Sequence, residues 1–462
     1  MNSASMLQHW NPEDRSVWEH GGRVMATRNL WISIPALALA FAVWMLWSVV
    51  VVYLPAAGFR YSTNQLFWLT ALPALCGATL RVFYAFVVPL VGGRRFTAWA
   101  TASLLLPAVG MGLAVQNPHT PYEWMLVLAL LCGLGGANFS SSMAHISFFF
   151  PTARKGVALG LNAGLGHLGV AVVQFVVPAV IGVSIFGAWG GVAQSTEPPM
   201  WLQNAGFVWV PLIVASAMAA WWGMDDLTPA TTGFAEQAVI FTREHNWWMC
   251  WLYAGTFGSF IGFSAALPML IQSQFAAPAL LQLAWVGPLI GAVTRPVGGW
   301  LADRWGGARI TWWSFFVMAV AILGVLWCLP QAALGEGAQT AGNLAGFLAA
   351  FALLFAAAGL GNGSTFRMIP LIFAALRQSQ AEPLLEAQAL ATREGEVEAA
   401  AVLGFVSAMG AYGGFFIPKS FGTAISLTGS PTWALYLFFV FYLSCMALTW
   451  WQYSRPGAPM PC

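Results

Sequence analysis

Two stretches decide how this chain folds: RVFYAFVVPLVGGRR from Arg81 and RPVGGWLADRWGGAR from Arg295. Laid on each other without gaps, they match Arg81 to Arg295, Gly92–Gly93 to Gly306–Gly307, and Arg95 to Arg309. Two further echoes keep the same order. LGLNAGLGHLG from Leu159 and LGFVSAMGAYG from Leu403 share Gly160/Gly404, Gly166/Gly410 and Gly169/Gly413. GLGGANF from Gly133 has a looser counterpart in GLGNGSTF from Gly359. Three echoes in register describe an internal duplication.

The composition says what is duplicated. Of 462 residues, 59% are hydrophobic and 7% charged, against about 25% charged in an ordinary soluble domain. That excludes a soluble enzyme, a nucleic-acid binder and a disordered chain, and leaves an integral membrane protein in contact with lipid. The net charge of +2 points to no partner. The six cysteines are scattered without metal-ligand spacing and read as small apolar fillers or a tail thiol, so no metal and no cofactor is expected. Residues 1–30 are polar and lack a signal-peptide cleavage pattern.

At about 20 apolar residues per crossing, twelve spans are expected: 31–54, 66–91, 96–115, 122–150, 156–186, 201–223, 247–271, 279–302, 309–329, 341–376, 399–427 and 432–453. The expected organisation is a cytoplasmic segment 1–30, a six-helix bundle 31–223, a polar connection 224–246, a second bundle 247–453 and a tail 454–462. Residues 377–398 read as the other long polar loop. With a cytoplasmic amino terminus, thirteen basic residues from Arg15 to Arg455 fall on the cytoplasmic side and Arg60 alone on the other. This asymmetry orients both termini inward. The fold class is thus all-α: twelve transmembrane helices in two six-helix bundles related by a pseudo-twofold axis along the membrane normal.

Four basic residues fall inside spans: Arg81, Arg295, Arg367 and Lys419. No carboxylate lies deep in one; Glu123 is at the outer edge of span 4 and Asp303 at the inner end of span 8. Arg81 and Arg295 each lie about 15 residues into their spans, near the midplane at 1.5 Å per residue, where an arginine costs at least about 2.5 kcal/mol. The duplication puts the pair at equivalent heights. Two midplane cations without a midplane acid describe an anion site. At an effective dielectric of 20, cations about 7 Å apart repel by roughly 2–3 kcal/mol, while an anion about 4 Å from each gains roughly 4 kcal/mol per contact. The guanidinium fork suits a planar oxyanion. Closing on an empty site presses like charges together, so reorientation is easier loaded than empty, and exchange is the expected mode. Arg367, in the inner third of span 10, is expected to snorkel, bond a carbonyl or serve the inner mouth. Lys419 lies towards the outer part of span 11.

Gly160, Gly164, Gly166 and Gly169, with Gly404, Gly410, Gly413 and Gly414, read either as tight helix packing or as cavity faces that allow rocking. Asn162 and His167 offer polar edges there. His9, His20 and His245 fall in cytoplasmic segments, His119 in an outer loop, His145 near the inner end of span 4, and His167 near mid-membrane. His167 is the one deep group able to couple protons, and neighbouring cations favour its neutral form.

The run Gly299, Asp303, Arg304, Gly306, Gly307 (GxxxDRxGG) resembles the signature loop of the major facilitator superfamily. From RNLWIS at Arg28 through FWLTALP, ANFSSSM, SFFFP, TFGSFIGFSA and GFFIPK, the chain resembles the nitrate/nitrite porter family of that superfamily, nearest its bacterial antiporters. GLNAGLGHLG and the GLGNGSTF…LGFVSAMGAYGG region match its two glycine-rich signatures. The resemblance implies substrate arginines at Arg81 and Arg295, aromatic walls at Phe139, Tyr253 and Phe257, and moving helices at spans 5 and 11. It implies an inner-membrane nitrate/nitrite antiporter, active as a monomer, with nitrate and nitrite as substrates. His167 and His145 stand where the family usually has asparagine, which keeps open a proton-coupled symporter working through His167. A non-transporting anion sensor is the remaining alternative, though no segment is long enough for an output domain.

Overall fold

The computed structural model describes residues 10–196, 199–227, 238–275, 278–330, 342–380, 385–458, 460 and 462. His9 and residues 228–237 of the polar connection lie outside them. The chain divides into two compact units, Met1–Thr232 and Gly233–Cys462.

In the first unit, span 1 runs Arg15–Trp44, span 2 Thr63–Val91, span 3 Gly93–Ala114, span 4 Tyr122–Phe149, span 5 Thr152–Val180 and span 6 Asn204–Gly223. In the second, span 7 runs Glu244–Phe275, span 8 Val286–Trp305, span 9 Gly307–Cys328, span 10 Leu344–Gln380, span 11 Glu398–Thr428 and span 12 Thr432–Ser454. Eleven of these helices are long and apolar enough to cross a bilayer. The other, span 8, is a continuous 20-residue helix, but Arg295 at its middle and Asp303 and Arg304 at its end dilute its apolarity. A short hairpin, Ser195–Thr196 with Pro199–Met200, is the one β element among the described residues.

Three boundaries differ from expectation. Helix begins at Arg15, well before residue 31. Span 10 continues to Gln380, and a helix from Leu385 to Ala411 leads into span 11, so most of 377–398 is helical rather than loop. Span 8 begins at Val286 rather than 279, after a short 3-10 turn over Pro278–Leu283.

The duplication is visible in the neighbours each helix keeps. In the first unit span 2 packs on span 4, span 1 on span 5 and span 3 on span 6; in the second, span 8 packs on span 10, span 7 on span 11 and span 9 on span 12. The turns after the two founding stretches match as well. Gly92 has φ 92° and ψ 141°, and Gly306 has φ 88° and ψ 135°, a region L side chains avoid. Each glycine ends one span and starts the next.

Helix ends are held by charge pairs. Arg28 donates to Asp225 at 2.6 Å, and Arg94 to Asp226 at 3.2 Å. In the second unit the buried carboxylate of Glu398 accepts from Arg243 at 2.6 Å and Arg377 at 2.7 Å. The amino-terminal segment clips the hinge between spans 4 and 5. The Trp10 indole N–H donates to the Phe148 carbonyl at 2.9 Å, and the Thr152 N–H and hydroxyl donate to the Glu13 carboxylate at 2.7 and 2.8 Å. Trp18 packs on Phe150, and the Arg154 guanidinium lies over the Trp18 ring. The bonds from Thr152, the backbone one above all, hold the Glu13 carboxyl below its ordinary value.

Candidate functional site

Arg81 is completely buried. Span 2 can carry it there because spans 2 and 4 nearly touch: a Cβ on Gly133 would sit 2.7 Å from the Gly77 nitrogen and 2.8 Å from the Pro73 carbonyl oxygen. The close approach puts the Gly136 carbonyl within reach, and the Arg81 Nε–H donates to it at 2.8 Å. Rings cover the guanidinium, with its carbon 4.8 Å from the Phe139 centroid and 5.2 Å from that of Trp44. The His167 ring, on span 5, is tilted against both Phe41 and Phe139, with centroids 4.6 and 5.7 Å away. Asn162, also buried, donates through Nδ2 to the Ser142 hydroxyl at 2.8 Å, and Ser142 in turn meets Ser33 at 2.8 Å. Arg81, Phe139 and His167 therefore form one cluster. Asn162 belongs to a hydrogen-bonded chain linking spans 1, 4 and 5.

Arg295 is 6% exposed. Its guanidinium carbon lies 5.2 Å from the Phe366 centroid on span 10. The Tyr253 hydroxyl lies beside it, and Tyr253 packs on Phe257 with centroids 5.4 Å apart. Span 7 winds into a π-turn over Ala254–Gly258 at this point, a feature frequent at functional sites. A Cβ on Gly410 would meet Tyr253 Cδ1 at 2.7 Å and Phe257 Cδ1 at 3.3 Å, so span 11 fits against the ring pair only as glycine. Arg295, Tyr253 and Phe257 are thus neighbours within the second unit.

The glycines divide. Gly166 would clash with Leu37 and Gly169 with the Ala38 carbonyl where span 5 crosses span 1, and Gly413 would clash with Gly258 where span 11 crosses span 7. A Cβ on Gly160 meets nothing within 4 Å. Gly164 and Gly404 are half-buried.

Sequence reasoning missed Phe41, Trp44 and Phe366. The duplication held a signal for Phe366: GLGGANF ends on Phe139, which covers Arg81, and GLGNGSTF ends one residue later on Phe366, which covers Arg295. Trp44 and Phe41 carry no such mark among 25 tryptophans and 33 phenylalanines. Arg367 meets a carboxylate rather than a carbonyl, Asp303 at 2.5 Å, with both side chains about half exposed. His145 is buried and meets Asn29 at 3.3 Å. Lys419 is half-buried.

Residues 36–382 match the family model of the Major Facilitator Superfamily. The chain is similar to the nitrate/nitrite transporter NarU of Escherichia coli (strain K12), with 48% identity over 98% of this chain and 97% of that protein. It is also similar to the probable nitrate/nitrite antiporter NarK2 of Thermus thermophilus, with 39% identity over 99% and 98%. Among solved structures, a bacterial homologue of the human lysosomal transporter Spinster superposes with a TM-score of 0.60 at 16% identity, covering 91% of this chain and 96% of that one. That likeness speaks to the fold alone, and the fold is the major facilitator fold. With a family model over most of its length and relatives this similar end to end, the chain belongs to the nitrate/nitrite porter family of the Major Facilitator Superfamily.

Proposed function

We propose that this protein exchanges nitrate for nitrite across the inner membrane by alternating access, with the anion bridged between Arg81 and Arg295. The observation that carries the reading is that each unit buries one arginine among aromatic rings (0% and 6% exposed). A buried cation favours the approach of a negative charge. A planar anion supplies that charge and matches the fork geometry of two guanidiniums. The rings add edges of partial positive charge and exclude water. In this reading bundles 31–223 and 247–453 rock about the connection 224–246, both termini are cytoplasmic, and one chain suffices. The names of its relatives supply the choice of nitrate and nitrite over other small anions.

Exchange is favoured over proton symport by the setting of His167, which is packed between Phe41 and Phe139. Rings on both sides give the imidazole a packing role in the wall of the first-unit cluster.

The test is counterflow in proteoliposomes. Vesicles loaded with nitrite should take up external nitrate, and vesicles without a counter-anion should not. Full-rate uptake into anion-free vesicles without a pH gradient would overturn exchange. A rate that follows the pH gradient and is lost in His167→Asn would establish symport instead.

A further inference from the structure

We infer that Trp44 is a positioning residue for the substrate, acting through Arg81; the inference rests on the reading of Arg81 as an anion ligand. Trp44 is 1% exposed and stands at the last turn of the helix Arg23–Trp44. Beyond it the first span breaks at Met45 (φ −92°, ψ 7°) and resumes over Leu46–Val50.

Three contacts then determine its plane. The indole N–H donates to the Pro73 carbonyl at 2.9 Å, on the helix that carries Arg81. Gly77 leaves room on one side, where an added Cβ would meet the indole nitrogen at 3.0 Å. Gly136 leaves room on another, where an added Cβ would overlap the indole ring. The slot is therefore cut by glycines from spans 2 and 4 to admit one large flat group. Facing that group is the guanidinium, 5.2 Å from its centroid.

The consequence concerns orientation rather than charge. Arg81 is anchored along one edge by the Gly136 carbonyl and packed by Phe139 and Trp44. The guanidinium carbon stands over the Trp44 ring, which limits the planes the group can take. Bidentate recognition of a planar anion requires the two planes to agree, so the ring that sets the guanidinium plane sets the geometry of the bound anion. Around Arg295 the corresponding ring is Phe366 on span 10. Trp44 thus sets the plane of the first-unit arginine.

The experiment compares Trp44→Leu and Trp44→Phe with the wild type in nitrate/nitrite counterflow, each alone and combined with Arg81→Lys. Loss of a buried cation–π partner is expected to raise the nitrate KM about tenfold in Trp44→Leu with Vmax nearly unchanged. Trp44→Phe, which restores a π face without the N–H, should return KM to within about threefold of wild type. In the Arg81→Lys background, Trp44→Leu should add almost nothing, because its effect passes through the guanidinium. Equal KM shifts for Leu and Phe, a fall in Vmax at constant KM, or additive losses in the double variant would each overturn the inference. Should Trp44→Leu fail to accumulate in the membrane, Trp44→Met replaces it with the same expected outcomes. A wild-type KM in Arg81→Lys alone would instead overturn the parent reading, so the two failures are distinguishable.

Discussion

The two arginines come from matching sequence but occupy different surroundings. Arg81 is locked by a backbone carbonyl and packed by Trp44 and Phe139, beside a continuous span 4. Arg295 is packed by Phe366 and accompanied by a hydroxyl from a π-turn. Duplication gave each half a buried arginine, and the rings around the two then diverged: Trp44 and Phe139 about one, Phe366 about the other.

The most severe break in that comparison is Arg81→Lys. It keeps the charge but loses the fork, and nitrate exchange should fall roughly a hundredfold, the equivalent of about 3 kcal/mol in charged hydrogen bonds. Arg295→Lys should fall less, because an ammonium can still be met by the Tyr253 hydroxyl; equal losses in radiotracer counterflow would erase the distinction. Next come the helix crossings. Gly413→Ala places a methyl against Gly258 and should destabilise the purified protein by about 1–3 kcal/mol, whereas Gly160→Ala, which meets nothing, should leave the melting temperature within about a degree or raise it slightly. A large effect at Gly160 would mean that this helix face becomes packed at another stage of the cycle. Tyr253→Phe removes only the hydroxyl and should raise the nitrate KM about fivefold, near 1 kcal/mol; an unchanged KM would take Tyr253 out of the site.

The smallest effect is a pH dependence in the amino-terminal clip. The Glu13 carboxyl is held below its ordinary 4.5 by the bonds from Thr152. A lowered folded-state value means the contact is fully present above the ordinary value and is lost as pH falls through the lowered one. Amide exchange at Thr152, corrected for intrinsic pH dependence, should therefore show protection constant near neutrality and declining in acid. Glu13→Gln should flatten that decline.

Much of this was legible in the residues. Apolar runs gave the spans, and the repeat of Arg81–Arg95 in Arg295–Arg309 gave both the halves and the buried cations, because a midplane arginine is too costly to be incidental. The helix from Leu385 escaped notice because apolarity marks only the stretch inside lipid; a polar extension such as LEAQALATREGEVE looks like a loop. Arg367 and Asp303 are 64 positions apart in sequence, and nothing in either neighbourhood announces the pairing. Trp44 was hidden for another reason. Its significance lies in the absence of side chains at Gly77 and Gly136 opposite it, and a vacancy on two other helices is a tertiary fact.

The twin turns at Gly92 and Gly306 carry one more consequence. Their angles agree to within a few degrees although Asp226 stands beside the first and the Cys462 carbonyl beside the second. Each corner also finds an oxygen for the amide two residues on, Asp226 for Arg94 at 2.8 Å and the Cys462 carbonyl for Ala308 at 3.1 Å. A side chain in one half thus does the work of a main-chain carbonyl in the other, so Asp226→Ala should loosen the first corner and leave the second unchanged.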